Sequence, residues 1–160
     1  WLSKLQIGST VYGRVQFNTH FHLRNTDENL IFVANGSGIG PLFGMIASLP
    51  DNQNATILWG VREKNEAVFA QDMLNNARMR GALKSVYLTF SSEPENGVKY
   101  VQDFFTVEDK HLQQWTNPKT RFIICGSDEM LKGLESTLKL GDAKAFEVMR
   151  KQKRWQSDCY

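Results

Sequence analysis

From residue 30 to the end of the chain, short unbroken apolar runs alternate with longer stretches in which apolar residues recur every three or four positions. The runs "LIFVA" (30–34), "ATILWG" (55–60), "SVYLTF" (85–90) and "RFIICG" (121–126) read as buried strands, and "RWQSDC" (154–159) as a last one. Between the first two, "PLFGMIASL" sets Leu42, Met45, Ile46 and Leu49 at helical spacing from Pro41 onward. A second helix runs from Asn65 as N-cap to Gly81 as stop, with Phe69, Met73 and Ala77 in register. Thr106 caps a helix that carries Leu112 and Trp115 and closes at Pro118. Ser127 caps the next, with Leu131, Leu134 and Leu138 inside and Gly141 at its end, and Asp142 caps another holding Phe146 and Met149. Trp59, Trp115 and Phe69 fall at core positions. Ahead of this series, "VYGRVQF" (11–17) places Val11, Val15 and Phe17 on one face at period two, as a half-buried strand does.

Strands that alternate with helices imply an α/β fold, here a doubly wound, five-stranded parallel sheet with helices on both faces. Such sheets bind ligands beyond the carboxyl ends of their strands, which directs attention to residues 35–41, 60–62, 91–100, 125–128 and 158–160. In the first of these segments Gly36, Gly38 and Gly40 stand at alternate positions between a strand and a helix. A turn without side chains lets backbone amides approach a diphosphate, and the helix N-terminus adds a favourable dipole. The spacing is neither the phosphate-loop pattern, which needs Lys and Ser or Thr after the last glycine, nor the six-residue dinucleotide fingerprint, because Pro41 interrupts it. A ligand-free tight turn stays open beside a diphosphate cradle.

Composition narrows the classes. A chain of 160 residues, 41% apolar and 22% charged, has the make-up of one globular domain. Its net charge of +2 is small and scattered, and the longest basic cluster, "RKQKR" (150–154), sits at a surface helix end, so nucleic acid is not an expected partner. Cys125 and Cys159 make neither a disulfide framework nor a metal cluster, which points to a reducing, cytoplasmic setting for this domain. "HFH" sets His20 and His22 on one side of an extended segment without a third ligand nearby, and with His111 they are expected to be structural. No apolar stretch approaches the roughly 18 residues of a membrane span. The opening "WLSKLQIG" is neither a signal peptide nor an initiator methionine, so the sequence is expected to be a piece of a longer protein, whose remainder could carry a membrane anchor.

Ordered motifs then resemble one family along nearly the whole chain. "GSGIGP" (36–41) resembles the Gly-Thr-Gly-Ile-Ala-Pro turn of the ferredoxin–NADP reductases. "WGVREKNEAVFAQDM" (59–73) is similar to their second-strand motif, and "FSSEPENGVKYVQDFF" (90–105) to their serine-to-Tyr-Val-Gln motif. "IICGSDEM" (123–130) resembles the Cys-Gly segment and "KRWQSDCY" (153–160) the Arg-aromatic-x-x-Asp-x-aromatic end. The likeness is strongest to the diflavin branch, which includes cytochrome P450 reductase and the sulfite reductase flavoprotein. "WLSKLQIGSTVYGRVQFNTHFHL" (1–23) looks like the last strands of the FAD-binding barrel, so residues 1–28 are expected to be a barrel remnant and 29–160 the NAD(P)-binding domain.

The resemblance implies an NAD(P)H-binding half of a flavin-dependent oxidoreductase that passes hydride from NADPH to FAD, with a non-catalytic nucleotide-sensing module as the alternative. Gly36, Ser37, Gly38, Ile39 and Pro41 inherit the diphosphate turn, and Arg62 a bidentate phosphate contact. Ser91, Ser92, Lys99, Tyr100 and Gln102 inherit the adenosine and 2′-phosphate end, with Tyr100 stacking on adenine. Ser92 stands where arginine is usual, and Lys99 is shifted by one from the usual lysine. Glu93 nearby repels a phosphate dianion or accepts from a free 2′-hydroxyl. These departures imply a modest preference for NADP, with NAD possible. Gly126, Asp128 and Met130 join the cofactor-binding set through the Cys-Gly segment. Cys125, Asp158 and Tyr160 are the catalytic candidates: a thiol at nicotinamide C4, a carboxylate that favours positive charge on the ring, and a terminal aromatic that covers the flavin and moves aside. FAD is expected to be held mainly by an upstream domain, with an FMN-binding flavodoxin domain or another electron acceptor as a further partner.

Overall fold

The computed structural model describes residues 4–13, 18, 20–51, 53–106 and 112–160. Five strands, β1 (Asn29–Asn35), β2 (Asn54–Val61), β3 (Ser85–Phe90), β4 (Thr120–Gly126) and β5 (Trp155–Cys159), form one sheet in the order β3-β2-β1-β4-β5. Every neighbouring pair is parallel. This is the doubly wound arrangement predicted: β1 is central, the chain winds outward to β3 on one side, then crosses back to β4 and β5 on the other.

Burial on both faces explains the unbroken apolar runs. Along β1, Phe32 and Ala34 enter one core with Ile57 and Trp59 of β2 and Ile123 and Cys125 of β4. Ile31 and Val33 enter the other with Leu58, Phe122 and Ile124. Helices α1 (Ile39–Ala47) and α2 (Gln71–Met79) cover the first face through Leu42, Ile46, Leu74 and Ala77. Helix α3 (Asp128–Lys151) covers the second through Leu134, Leu138, Phe146 and Met149. Each such side chain, fully buried, contributes about 1.5–3 kcal/mol. No helix among the described residues is long and apolar enough to cross a membrane.

Several elements differ from the sequence expectation. The helix after β1 starts at Ile39, following a 3-10 turn over Gly36–Gly38, so Pro41 is third in its first turn, where a missing N–H costs nothing. The predicted helix from Asn65 begins instead as a 3-10 segment over Lys64–Ala70, with Glu63 and not Asn65 at its cap, and becomes α2 only at Gln71. In a 3-10 segment residues three apart share a face. Ala67 and Ala70 therefore take the buried face, and Phe69 swings out to 68% exposure where a core residue was expected. The Thr106 hydroxyl donates back to the Asp103 carbonyl at 2.7 Å and closes a 3-10 turn over Val101–Phe105, and the first turn of the helix it is expected to cap lies outside the described residues. Residues 107–111, His111 included, lie outside the described residues, but Leu112 and Trp115 are buried as predicted. Val11 is exposed and outside any strand, and Val15 and Phe17 lie outside the described residues. Asp142 interrupts α3 with φ −155° and ψ 92°, and its carboxylate accepts the Ala145 N–H at 2.8 Å, the cap its sequence position predicts.

One buried charge ties the segment before β1 to the sheet. Arg121, at the start of β4, pairs with Asp27 at 2.5 Å, donates to the His22 carbonyl at 2.8 Å and to the Gln156 side chain, and both charged side chains are nearly inaccessible. Burial pulls the Arg121 pKa down while Asp27 opposes the shift. Removing one member strands the other charge. Arg121→Ala is expected to cost about 3–5 kcal/mol in denaturant unfolding, whereas the paired change Arg121→Met with Asp27→Leu costs less than either single change.

Candidate functional site

The connections from β1 and β4, the two central neighbours, leave in opposite directions, and the crevice between their carboxyl ends is where a doubly wound sheet takes a ligand. A cleft of about 450 Å³ opens there, running from Asn35 and Gly36 past Arg62 to Ser91, Lys99, Tyr100 and Gln102, and back to Ser127 and Met130.

Its floor is the glycine turn. A Cβ on Gly38 would lie 2.3 Å from the Cys125 carbonyl oxygen and 2.8 Å from the Gly126 Cα, so this turn meets the end of β4 backbone to backbone. A Cβ on Gly40 would meet nothing within 4 Å. Gly36 takes a positive φ of 48°, and its carbonyl accepts the Trp59 indole N–H at 3.1 Å. Trp59 in turn meets Phe43 and Phe69 edge to face, the half-exposed use that the structure finds for Phe69. No side chain caps the N-terminus of α1; the Ile39 N–H turns back to the Ser37 carbonyl and Pro41 has none.

On the β2–β3 side, Arg62 and Lys99 line the cleft, and neither makes an ion pair among the described residues. The Asp103 carboxylate accepts the backbone N–H groups of Lys99 and Tyr100 at 2.9 and 2.8 Å, which fixes that corner. The Lys99 ammonium stands 5.1 Å over the half-exposed Tyr100 ring. Gln102 Oε1 is buried without a hydrogen-bond partner among the described residues. Ser91 lines the cleft, while Ser92 is exposed and outside its lining. Glu93 is also outside it, gathered with Glu95 around Lys64 at 3.9 and 2.8 Å.

On the β4–β5 side, Cys125 is buried and registers with Asp158 across the ladder, with Asp158 exposed. Burial first, then the neighbouring Asp158 and Cys159, pushes the Cys125 thiol up to about 11. It is therefore a neutral thiol at neutral pH, suited to packing and contact and unsuited to nucleophilic attack. Tyr160 extends the ladder by donating its N–H to the Gly126 carbonyl, and its hydroxyl meets Ser37 Oγ at 2.9 Å. Its carbonyl accepts the Asp128 N–H at the start of α3. The terminal residue thus bridges the glycine turn and the Cys-Gly segment.

Of the residues singled out in the sequence, Gly36, Arg62, Ser91, Lys99, Tyr100, Gln102 and Met130 share the cleft. Ser37, Gly38, Cys125, Gly126, Asp128, Asp158 and Tyr160 form the adjoining β4–β5 edge. Ile39 sends its side chain into the core, and Pro41 is exposed, so only their backbone belongs to the turn. Sequence reading missed Asn35, Glu66, Thr89, Ser127 as a site residue, and Glu129. Of these, Asn35 and Ser127 fall within the post-strand segments 35–41 and 125–128 but were not singled out there, and Glu66, Thr89 and Glu129 lie outside those segments. It also missed Asn18, whose amide donates to Asp158 Oδ2 at 3.2 Å from the segment ahead of β1.

Gly38→Ala is expected to lower unfolding free energy by about 1–3 kcal/mol through overpacking, and Gly40→Ala to leave it within about 1 kcal/mol; urea midpoints of the two variants decide. The raised thiol pKa has a pH signature of definite sign. Its stabilising share is whole below pH 9.0, the ordinary value, and is lost as pH rises toward about 11, so Cys125→Ala should flatten the alkaline limb of the stability curve.

The oxidoreductase NAD-binding domain family matches residues 32–136, well over half of the chain. The chain is 26% identical to the sulfite reductase [NADPH] flavoprotein alpha-component of Shewanella oneidensis over 100% of its length, and 24% identical to the NADPH–cytochrome P450 reductase of Candida maltosa over 86%. It is also 22% identical to NADH-cytochrome b5 reductase 1 of Lodderomyces elongisporus over 93%. These are longer proteins, of which the chain spans 29%, 23% and 51%. With its five parallel strands and its glycine turn at the switch point, the chain belongs to the oxidoreductase NAD-binding domain family, in the ferredoxin–NADP reductase group that its motifs resemble.

Proposed function

We propose that the cleft binds a pyridine dinucleotide, NADPH by modest preference, and that the domain presents the nicotinamide to FAD held mainly by another domain of the same protein. The observation that carries this reading is the cleft itself, which brings the glycine turn together with two cations that make no ion pair among the described residues, next to the Cys125, Asp158 and Tyr160 edge. The uncapped N-terminus of α1 suits a diphosphate, and Arg62 supplies a permanent, forked positive charge beside it. Tyr100 offers a ring for adenine, with Lys99 at the rim where a 2′-phosphate would lie. The orphaned Gln102 oxygen suits an amine or hydroxyl donor of the ligand.

When bound, the dihydronicotinamide supplies a hydride, one proton with two electrons, to a flavin. This chain's residues orient and screen. The neutral Cys125 thiol would lie against the nicotinamide, and Asp158 would place negative charge beside it to favour positive charge on the ring. Tyr160, held to Ser37 through its hydroxyl, would move aside for the nicotinamide, which would free the Ser37 hydroxyl for the ligand. In this reading residues 1–28 end an FAD-binding barrel and 29–160 form the nucleotide domain, and an FMN-binding domain or another acceptor receives the electrons. Two of the relatives are named for NADPH and one for NADH, in keeping with a pocket that holds Lys99 but lacks an arginine at Ser92.

Calorimetric titration of the chain with NADP and with NAD tests the binding half. Binding of both, NADP the tighter, is expected; Arg62→Ala should weaken both, with about 1.5–3 kcal/mol lost for one charge-assisted contact, and Lys99→Ala should erase most of the difference between them. Absence of binding by either nucleotide refutes the reading. In the flavin-loaded full-length protein, Cys125→Ala should slow flavin reduction while leaving nucleotide affinity nearly unchanged.

A further inference from the structure

The turn that follows β1 and the turn that follows β4 are joined by one side chain that the proposed chemistry does not use. Asn35, the last residue of β1, accepts the Ser127 backbone N–H on Oδ1 at 2.9 Å and donates from Nδ2 to Ser127 Oγ at 3.1 Å. Ser127 Oγ also accepts the Met130 N–H at 3.3 Å, which makes it the N-cap of α3. The amide thus satisfies both a backbone donor and a capping hydroxyl across 92 residues of sequence. Space for it comes from Gly126: with φ 154°, a Cβ there would lie 2.0 Å from Asn35 Oδ1. On the other side, Asn35 directly precedes Gly36, whose carbonyl is pinned by Trp59.

The geometry points to Asn35 as a positioning residue that holds the diphosphate turn and the Cys125–Ser127 turn in fixed register, so that a nucleotide anchored by its phosphates delivers its nicotinamide to the Cys125 edge. Two features separate this role from general packing. The amide's two polar atoms are both spent on Ser127, one for each end of the amide. The two turns it joins also carry the two halves of the site, Gly36–Gly38 on one and Cys125 on the other. A displacement of about 1 Å between reacting groups costs on the order of 100-fold in rate, so loss of register should appear in the transfer step before it appears in affinity. The inference rests on the nucleotide-binding reading above and adds to it a residue that touches neither reacting atom.

The test uses the flavin-loaded full-length protein with Asn35→Ala and Asn35→Asp. The aspartate keeps an acceptor for the Ser127 N–H and a second oxygen for the Ser127 hydroxyl, but adds a negative charge on the cleft wall. Asn35→Ala should lower the limiting rate of flavin reduction by about 10-fold or more with NADP affinity by calorimetry within about 3-fold. Asn35→Asp should do the reverse, keeping the limiting rate within about 3-fold and weakening NADP by about 10-fold through charge repulsion. Amide hydrogen exchange at Ser127, measured without nucleotide, should quicken in the alanine variant and stay slow in the aspartate variant. Should Asn35→Ala fail to fold, Ser127→Ala, which removes only the hydroxyl half of the pair, should show the same split at about 3-fold. A limiting rate unchanged in the alanine variant, or equal losses of rate and affinity with no recovery by aspartate, overturns the positioning role while wild-type binding and flavin reduction leave the nucleotide reading standing. A wild-type protein that binds neither nucleotide overturns both.

Discussion

Where the turn after β1 meets the end of β4, there is no room for a side chain: even a methyl group on Gly38 would overlap the Cys125 carbonyl. Much of the site follows from that contact. Because the two backbones touch, the glycine turn and the Cys-Gly turn form one continuous floor, with the cleft on one side of it and the Cys125, Asp158 and Tyr160 edge on the other. Because β1 and β4 send their chains to opposite faces of the sheet, a crevice opens above that floor. The close approach and the topological switch are the same feature seen at two scales.

Charges of both signs surround this floor, with Glu66 and Glu129 in the cleft lining. Arg62 and Lys99 stand on the β2–β3 side, and Asp158 on the β4–β5 side beside a thiol that burial keeps neutral. Glu93, which read in the sequence as repelling a phosphate dianion or accepting from a free 2′-hydroxyl, is gathered with Glu95 around Lys64 outside the cleft lining. That ion-pair cluster is exposed and contributes little to stability.

The segment before β1 is tied to both ends of the β4–β5 half of the sheet. Asp27 meets Arg121 at the start of β4, and Asn18 meets Asp158 near the end of β5. The first contact is buried and costly to break; the second is exposed and touches a proposed catalytic carboxylate. A sequence stretch proposed to belong to a neighbouring flavin-binding domain therefore touches, through the Asn18 amide, a carboxylate proposed to act in the chemistry of this one.

What the sequence alone determined was the part of the structure governed by local periodicity and by burial on two faces. The five strands stand within a residue or two of their predicted bounds, because strands covered on both sides must be continuous apolar runs. Ser127 and Asp142 cap where they were expected to, since a capping side chain needs only its own following turn. The segments beyond the strand ends were legible as the site for the same reason: topology alone places them together. Tertiary structure decided the rest. Phe69 left the core because the chain before α2 winds as a 3-10 helix and two alanines fit beneath it better than a ring. Lys64 drew Glu93 and Glu95 together across the turn after β3. Asn35 became the link between two turns 92 residues apart. In each case the partner is distant in sequence or the competing geometries differ by about 1 kcal/mol, less than packing contributes, so no local pattern could have chosen between them.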